Sequence, residues 1–278
     1  MIWGAVDWPG PSTRLDAAPV VASPTGDYRD LMVQRRFAGK SVIVTGAGNG
    51  IGFRYAEAFA AEGASVSIAD IDGEAAHAAA KRIDGSQAVA LDVVDEPAVA
   101  AMVAAAVDRF GGVDVLVNNA GLHMGRFNLC STLSLDEWRR LLDVNLLGAV
   151  LCARHCHDAM VERGGGVILN QSSNSSYLGV GAYSISKLAL NGLTLSLAQE
   201  FAPDNIRVVG IAPGMIGSDA VLERLEDVHK KAVLGAQLIK RWGQTDDLVE
   251  MVLLLCSDGV SFMTGQTVTV DGGFVKRV

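Results

Sequence analysis

Tyr183 and Lys187 stand four residues apart in the run Y-S-I-S-K. On a helix that spacing puts both side chains on one face. A tyrosine hydroxyl has a reference pKa near 10, about three units too high to exchange its proton freely at neutral pH. A lysine ammonium nearby stabilises tyrosinate and lowers that value. A tyrosine held this way can take or give a proton while a bound cofactor moves a hydride. The pattern alone is weak, because tyrosine and lysine meet at this spacing on many solvated helices. Its weight comes from the residues upstream.

The stretch Lys40 to Gly52 reads K-S-V-I-V-T-G-A-G-N-G-I-G. Ser41 to Val44 suit a short buried strand. Glycines follow at 46, 48, 50 and 52, and Tyr55, Ala56, Phe59 and Ala60 then recur at helical spacing. Strand, glycine turn and helix in that order lift a glycine motif above chance. Glycine lets the backbone approach a ligand closely. The helix start offers free N–H groups and a positive dipole end, which suit a phosphate. A dinucleotide pyrophosphate is the expected guest, lying against Gly46, Asn49, Gly50, Ile51 and Gly52.

Asp70 ends the next apolar run, S-V-S-I-A-D, 18 residues after Gly52. A carboxylate there accepts hydrogen bonds from the adenosine ribose and repels a 2′-phosphate. No cation stands beside it: the neighbours are Ile71 and Asp72, and the turn carries Asn49. NAD is therefore expected over NADP. Asp92, in L-D-V, falls at the same strand edge and either faces the adenine or caps the helix that follows. Asn118-Asn119-Ala120-Gly121 forms a hydrogen-bond-rich turn there.

From Gly39 onward apolar strands alternate with helical patterns, the signature of βαβ units and a parallel sheet. Strands are predicted at 41–45, 65–70, 87–91, 113–118, 166–171, 206–211 and 267–270. Helices are predicted near 50–62, 73–83, 96–110, 135–162, 182–202, 219–238 and 245–257. The fold class is α/β: a doubly wound, seven-stranded parallel sheet with helices on both faces, in one domain over 37–278. Residues 1–36 hold four of the seven prolines and read as an irregular arm. The net charge of -8 argues against nucleic acid or an anionic membrane as partner. No apolar run approaches the roughly 20 residues that span a bilayer. The four cysteines lack paired spacing, which suggests free thiols and a cytoplasmic setting.

With these motifs in order, the chain resembles the short-chain dehydrogenase/reductase family, in its single-domain NAD(P)-dependent branch. The resemblance rests on T-G-A-G-N-G-I-G at 45–52, N-N-A-G at 118–121, Asn145 in D-V-N, Ser172/Ser173, Y-S-I-S-K at 183–187, P-G-M-I-G-S at 213–218 and D-G-G at 271–273. It implies Tyr183 as general acid/base, with Lys187 lowering its pKa and holding the nicotinamide ribose. Ser173 would bond the substrate oxygen, and Asn145 would hold a water that relays protons from Lys187. Pro213, Gly214, Ile216 and Ser218 would seat the carboxamide. Asn119, Ala120 and Gly121 would lie beside the riboses, with Ile71 and Val93 completing the cofactor site. Homotetramers, or dimers, through the long helices and the last strand are also implied.

The family's serine usually stands 13 positions before the tyrosine. Here Ser173 stands 10 before it, so the loop between them is shorter by three, and Ser175 is the fallback. That short loop brings Asn174, Ser175 and Tyr177 close around the substrate, with His123 and Met124 as another wall. Segment 215–242 is expected to form a lid. Cys152, His155, Cys156 and His157 invite a zinc reading, but one helix cannot aim them together, and no metal is expected. The expected reaction is interconversion of a secondary alcohol and its ketone. The alternative is an NAD-binding relative without redox catalysis, of sensor or epimerase type.

Overall fold

The computed structural model describes residues 35–123, 129–217 and 227–276, apart from the side chains of 227–230. Met124, Ser218 and nearly all of the expected N-terminal arm lie outside the described residues. Arg36, assigned to that arm from sequence, ion-pairs with Glu62 and Glu250, and Phe37 is buried edge-on against Phe59.

The strands are β1 (Ser41–Thr45), β2 (Ser65–Asp70), β3 (Gln87–Ala90), β4 (Val115–Asn118), β5 (Gly166–Gln171), β6 (Ile206–Pro213) and β7 (Thr267–Val270). They pair in parallel in the order β3-β2-β1-β4-β5-β6-β7. The helices are α1 (Gly50–Ala61), α2 (Gly73–Ala80), α3 (Glu96–Phe110), α4 (Leu135–Leu142), α5 (Gly148–Glu162), α6 (Gly181–Phe201), α7 (Asp227–Ala236) and α8 (Asp246–Cys256). Strand order reverses between β1 and β4, and a ligand crevice opens at such a point beyond the carboxyl ends.

The period of two along each strand divides the core into two layers. Val42, Val44, Val115, Val117, Val167 and Leu169 pack with α1 and α8. Ile43, Leu116 and Ile168 point the other way, against α3, α5 and α6. Both faces are covered, so these strands read as continuous apolar runs.

One predicted helix is divided. Over 135–162, α4 and α5 are joined by a π-helical turn, Asp143–Leu147. Asn145 causes the break in a physical sense. It is buried, and its amide oxygen accepts from Leu122 N at 2.7 Å. Its Nδ2 donates to Leu122 O and to Ser186 Oγ, each at 3.0 Å. A buried amide has to be satisfied, and the widened turn brings it within reach of Leu122.

Among the described residues no helix is long and apolar enough to cross a membrane.

Candidate active site at the carboxyl edge of the sheet

The glycine turn between β1 and α1 is held from three sides. Thr45 Oγ1 accepts from Asn119 N at 3.2 Å and Ala120 N at 3.1 Å. Asn119 Nδ2 returns to the carbonyls of Thr45 and Gly46 at 2.8 and 2.9 Å. A Cβ on Gly52 would overlap the Gly46 carbonyl oxygen and that same Nδ2. Thr45 was not singled out from sequence; it opens the T-G-A-G motif, and its hydroxyl is the signal.

Phosphate chemistry fits the start of α1. Asn49 stands at its N-cap in extended conformation without a side-chain cap bond, and the first turn has no acidic residue. Helices α2, α3 and α4 are capped by Asp72, Asp95 and Ser134. The amides of α1 are thus left for an anion. Gly50 has φ of 58°, and no atom lies within 4 Å of where its Cβ would be, so open space adjoins the turn. Asp70 Oδ2 accepts from Gly48 N at 2.8 Å and Oδ1 from Asp72 N at 3.0 Å. A carboxylate has about four acceptor positions, so two remain for hydroxyls.

The other expected cofactor residues line the same edge. Ile71 is exposed and Asp92 half-buried. Asp92 accepts from Val94 N, and Asp95, not Asp92, caps α3. Val93 is buried against Gly148, where a Cβ would stand 2.7 Å from Val93 Cγ2. Pro213 ends β6, Gly214 N donates to Val270 O, and Ile216 bridges to Gly243.

The residues expected to carry the reaction meet above β5. Ser172 faces away, donating to Lys187 O at 3.2 Å. Ser173 hydrogen-bonds the Tyr183 phenol. Burial holds that phenol above its ordinary pKa, and the Ser173 bond pulls it back down. The Lys187 Nζ sits 2.8 Å from the Gln171 carbonyl oxygen and 5.9 Å from the Tyr183 ring centre. Lys187 is 3% exposed, and burial brings its pKa down to about 8. A Cβ on Gly121 would stand 3.3 Å from both Lys187 Nζ and Asn145 Oδ1, so Gly121, Asn145 and Lys187 converge.

The walls differ in part from expectation. His123 packs edge-on against Tyr183, with ring centres 4.7 Å apart. Ser175 donates to Ser173 Oγ at 2.9 Å. Tyr177 is half-buried at the end of a 3-10 turn, Asn174–Tyr177. Asn174 does not line the pocket but turns inward, donating to Asp271 Oδ2 at 3.3 Å. The carboxylate of Asp271, which also takes three backbone amides, draws it there.

A family model described as enoyl-(acyl carrier protein) reductase matches residues 46–275. The chain belongs to the short-chain dehydrogenase/reductase family. A family relative in Mycobacterium tuberculosis (strain ATCC 25618 / H37Rv), named as an uncharacterized oxidoreductase, is 44% identical over 246 residues, 87% of this chain and 99% of its own. Sorbitol dehydrogenase of Cereibacter sphaeroides is 36% identical over 255 residues, 86% of this chain and 98% of its own. Among solved structures, 7α-hydroxysteroid dehydrogenase complexed with NADH and 7-oxo glycochenodeoxycholic acid superposes with a TM-score of 0.81. It is 33% identical, covering 88% of this chain and 97% of that one.

Two other features of this family member lie away from the crevice. A hollow of about 360 Å³ opens at the amino ends of the strands, among Arg36, Lys40, Asp114, Arg163 and Arg207. There Asp114 is neutralised by Lys40 and Arg163. In the cysteine and histidine run, Cys152 and Cys156 are buried, with the Cys152 thiol pushed up to about 12 by burial. His155 pairs with Glu96, and His157 with Asp158 and Asp204.

Proposed function

We propose that this chain is an NAD-dependent oxidoreductase interconverting a secondary alcohol and its ketone. The observation that carries the reading is that Ser173, Tyr183 and Lys187 meet at the sheet edge where the uncapped α1 start and Asp70 stand. The dinucleotide, when bound, supplies a hydride acceptor in one direction and a hydride donor in the other. In oxidation Tyr183, once its own proton has passed to solvent, takes the alcohol proton as phenolate; in reduction the phenol gives that proton to the ketone oxygen. Ser173, already bonded to the phenol oxygen, holds the substrate oxygen beside it. Lys187, with its pKa near 8, exchanges a proton close to neutral pH. Asn145, which converges with Lys187 on Gly121, would hold a water linking Lys187 to solvent.

Asp70 supports NAD over NADP by charge. The relative bound to NADH supports a nicotinamide cofactor of this kind. His123, Ser175 and Tyr177 wall the substrate side. Ile185, Leu188 and Leu195 expose apolar surface on one side of α6 and suit a homotetramer contact. The four thiols support a reducing, cytoplasmic setting.

The test is NADH formation across sugar, steroid, terpenoid, dihydrodiol and hydroxyacyl alcohols, for wild type and Tyr183→Phe. The Phe variant is expected to lose about a hundredfold to ten-thousandfold in turnover, the usual worth of a general acid/base. Equal turnover on the best substrate removes Tyr183 from this role. Wild type that binds NADH yet oxidises none of the classes favours the nucleotide-sensing alternative.

A further inference from the structure

Gln171 is the last residue of β5. Its side chain leaves the sheet on the α1 and α8 face, in step with Val167 and Leu169. Neighbouring positions on that face of β4 and β5 are aliphatic: Val115, Val117, Val167 and Leu169. Gln171 breaks the series, and Tyr55 of α1 meets it there, donating its hydroxyl to Gln171 Oε1 at 2.8 Å. A polar group placed in an aliphatic layer costs stability unless it is hydrogen-bonded.

Tyr55 is 1% exposed, and burial pushes its phenol pKa up, so it stays a protonated donor. A buried phenol needs an acceptor. Oε1 is the acceptor it finds, and this fixes the orientation of the amide. Nε2, with its two N–H groups, is then turned away from Tyr55. Among the described residues nothing accepts from Nε2, and the atom is not sealed off from solvent. β5 lies between β4 and β6, with helices on both faces. The remaining approach to Gln171 is over the carboxyl end of the strand, from the crevice.

The same residue fixes which part of the crevice this is. The Gln171 carbonyl holds Lys187 Nζ, and Ser173 follows two residues on. Asp70 ends β2, three strands away, roughly 14 Å across the sheet at standard strand spacing. The amide therefore emerges on the reacting side, away from the adenosine side.

We propose that Gln171 is a cofactor-binding residue whose Nε2 donates to an acceptor oxygen on the nicotinamide-side half of the dinucleotide. Tyr55 is the positioning residue that turns the amide toward it. This rests on the NAD reading above.

The test is a binding measurement, by titration of NADH and separately of ADP, on wild type, Gln171→Glu and Tyr55→Phe. Glutamate keeps an acceptor for Tyr55 at the same size and removes both donors. Its NADH Kd is expected to rise about tenfold, the upper range for a lost hydrogen bond, with ADP within about twofold of wild type. Tyr55→Phe unpins the amide and raises the NADH Kd about threefold, again sparing ADP. NADH binding retained by Gln171→Glu overturns the proposal. So does equal weakening of ADP, because the pair would then serve the fold and not the nicotinamide side. Wild type that binds neither nucleotide overturns the cofactor reading itself, an outcome distinct from either.

Discussion

Ser175 Oγ lies 2.9 Å from Ser173 Oγ, and the Ser175 amide donates to the same oxygen at 3.2 Å. A hydroxyl has two acceptor positions and one proton. With both positions taken by Ser175, the Ser173 proton is left for the Tyr183 phenol oxygen, and so for a substrate oxygen beside it. The 3-10 turn Asn174–Tyr177, with Ser173 at its N-cap, thus sets the direction of the serine. Ser175→Ala should lower kcat by about tenfold, since the backbone donor survives. Ser173→Ala should lower it by on the order of a hundredfold or more, as removal of an oxyanion donor does. Steady-state kinetics on one substrate compare the two, and equal effects would sink the aiming role.

Lys187 carries a pH dependence whose sign follows from burial. Its pKa falls from 10.5 to about 8 on folding. Between those values the unfolded chain binds more protons, so stability rises with pH across that window. Below pH 8 the full cost of burial is present. Lys187→Met should therefore be more stable than wild type at pH 7 by about 2 kcal/mol, after subtracting the lost bond to Gln171 O. The gap should shrink toward pH 10. Urea unfolding at pH 7, 8.5 and 10 measures this, and a gap independent of pH contradicts it.

Asp70 has two tasks that one variant can separate. Its oxygens hold the Gly48 and Asp72 amides, and in the proposed NAD site its charge would repel a 2′-phosphate. Asp70→Asn keeps one acceptor and removes the charge. The ratio of kcat/KM for NAD over NADP should fall by about tenfold or more, as loss of one close like-charge repulsion allows. Unchanged selectivity would take Asp70 out of cofactor choice.

His157 ties α5 to the turn after α6. Its ring nitrogens lie 2.9 Å from Asp158 Oδ1 and from Asp204 Oδ2, and the ring packs on Phe201. The Asp158 bond, with Asp204 adding to it, raises the histidine pKa. The contribution to stability is complete below pH 6.5 and is lost as pH rises through the raised value. His157→Gln should cost between a few tenths and about 1 kcal/mol at pH 5.5, because both carboxylates are well exposed, and almost nothing at pH 9. Thermal melts at the two pH values decide it.

Much of this was legible in the chain. Alternating apolar runs and helical periods placed all seven strands to within two residues at each end, because strands buried on both faces must be continuously apolar. The motifs around Gly46, Asp70, Ser173, Tyr183 and Lys187 could be read because each lies at the end of an element whose period is plain. The division of 135–162 could not be read: the apolar period runs through Asn145, and only Leu122, 23 residues earlier in sequence, shows what the amide bonds. Asn174 was misread for a similar reason. Its partner, Asp271, is 97 residues away.

The sequence by itself determined the sheet, the helices and which residues are candidates for the chemistry, since those follow from local period and side-chain chemistry. Only the tertiary structure decided how the groups are tuned. It put Ser173 on the Tyr183 hydroxyl, gave Lys187 to the Gln171 carbonyl, and joined Tyr55 to Gln171 across 116 positions. The direction of a hydrogen bond and the cost of burying a charge depend on what surrounds an atom in space, and distant segments supply those surroundings only when the sheet is assembled.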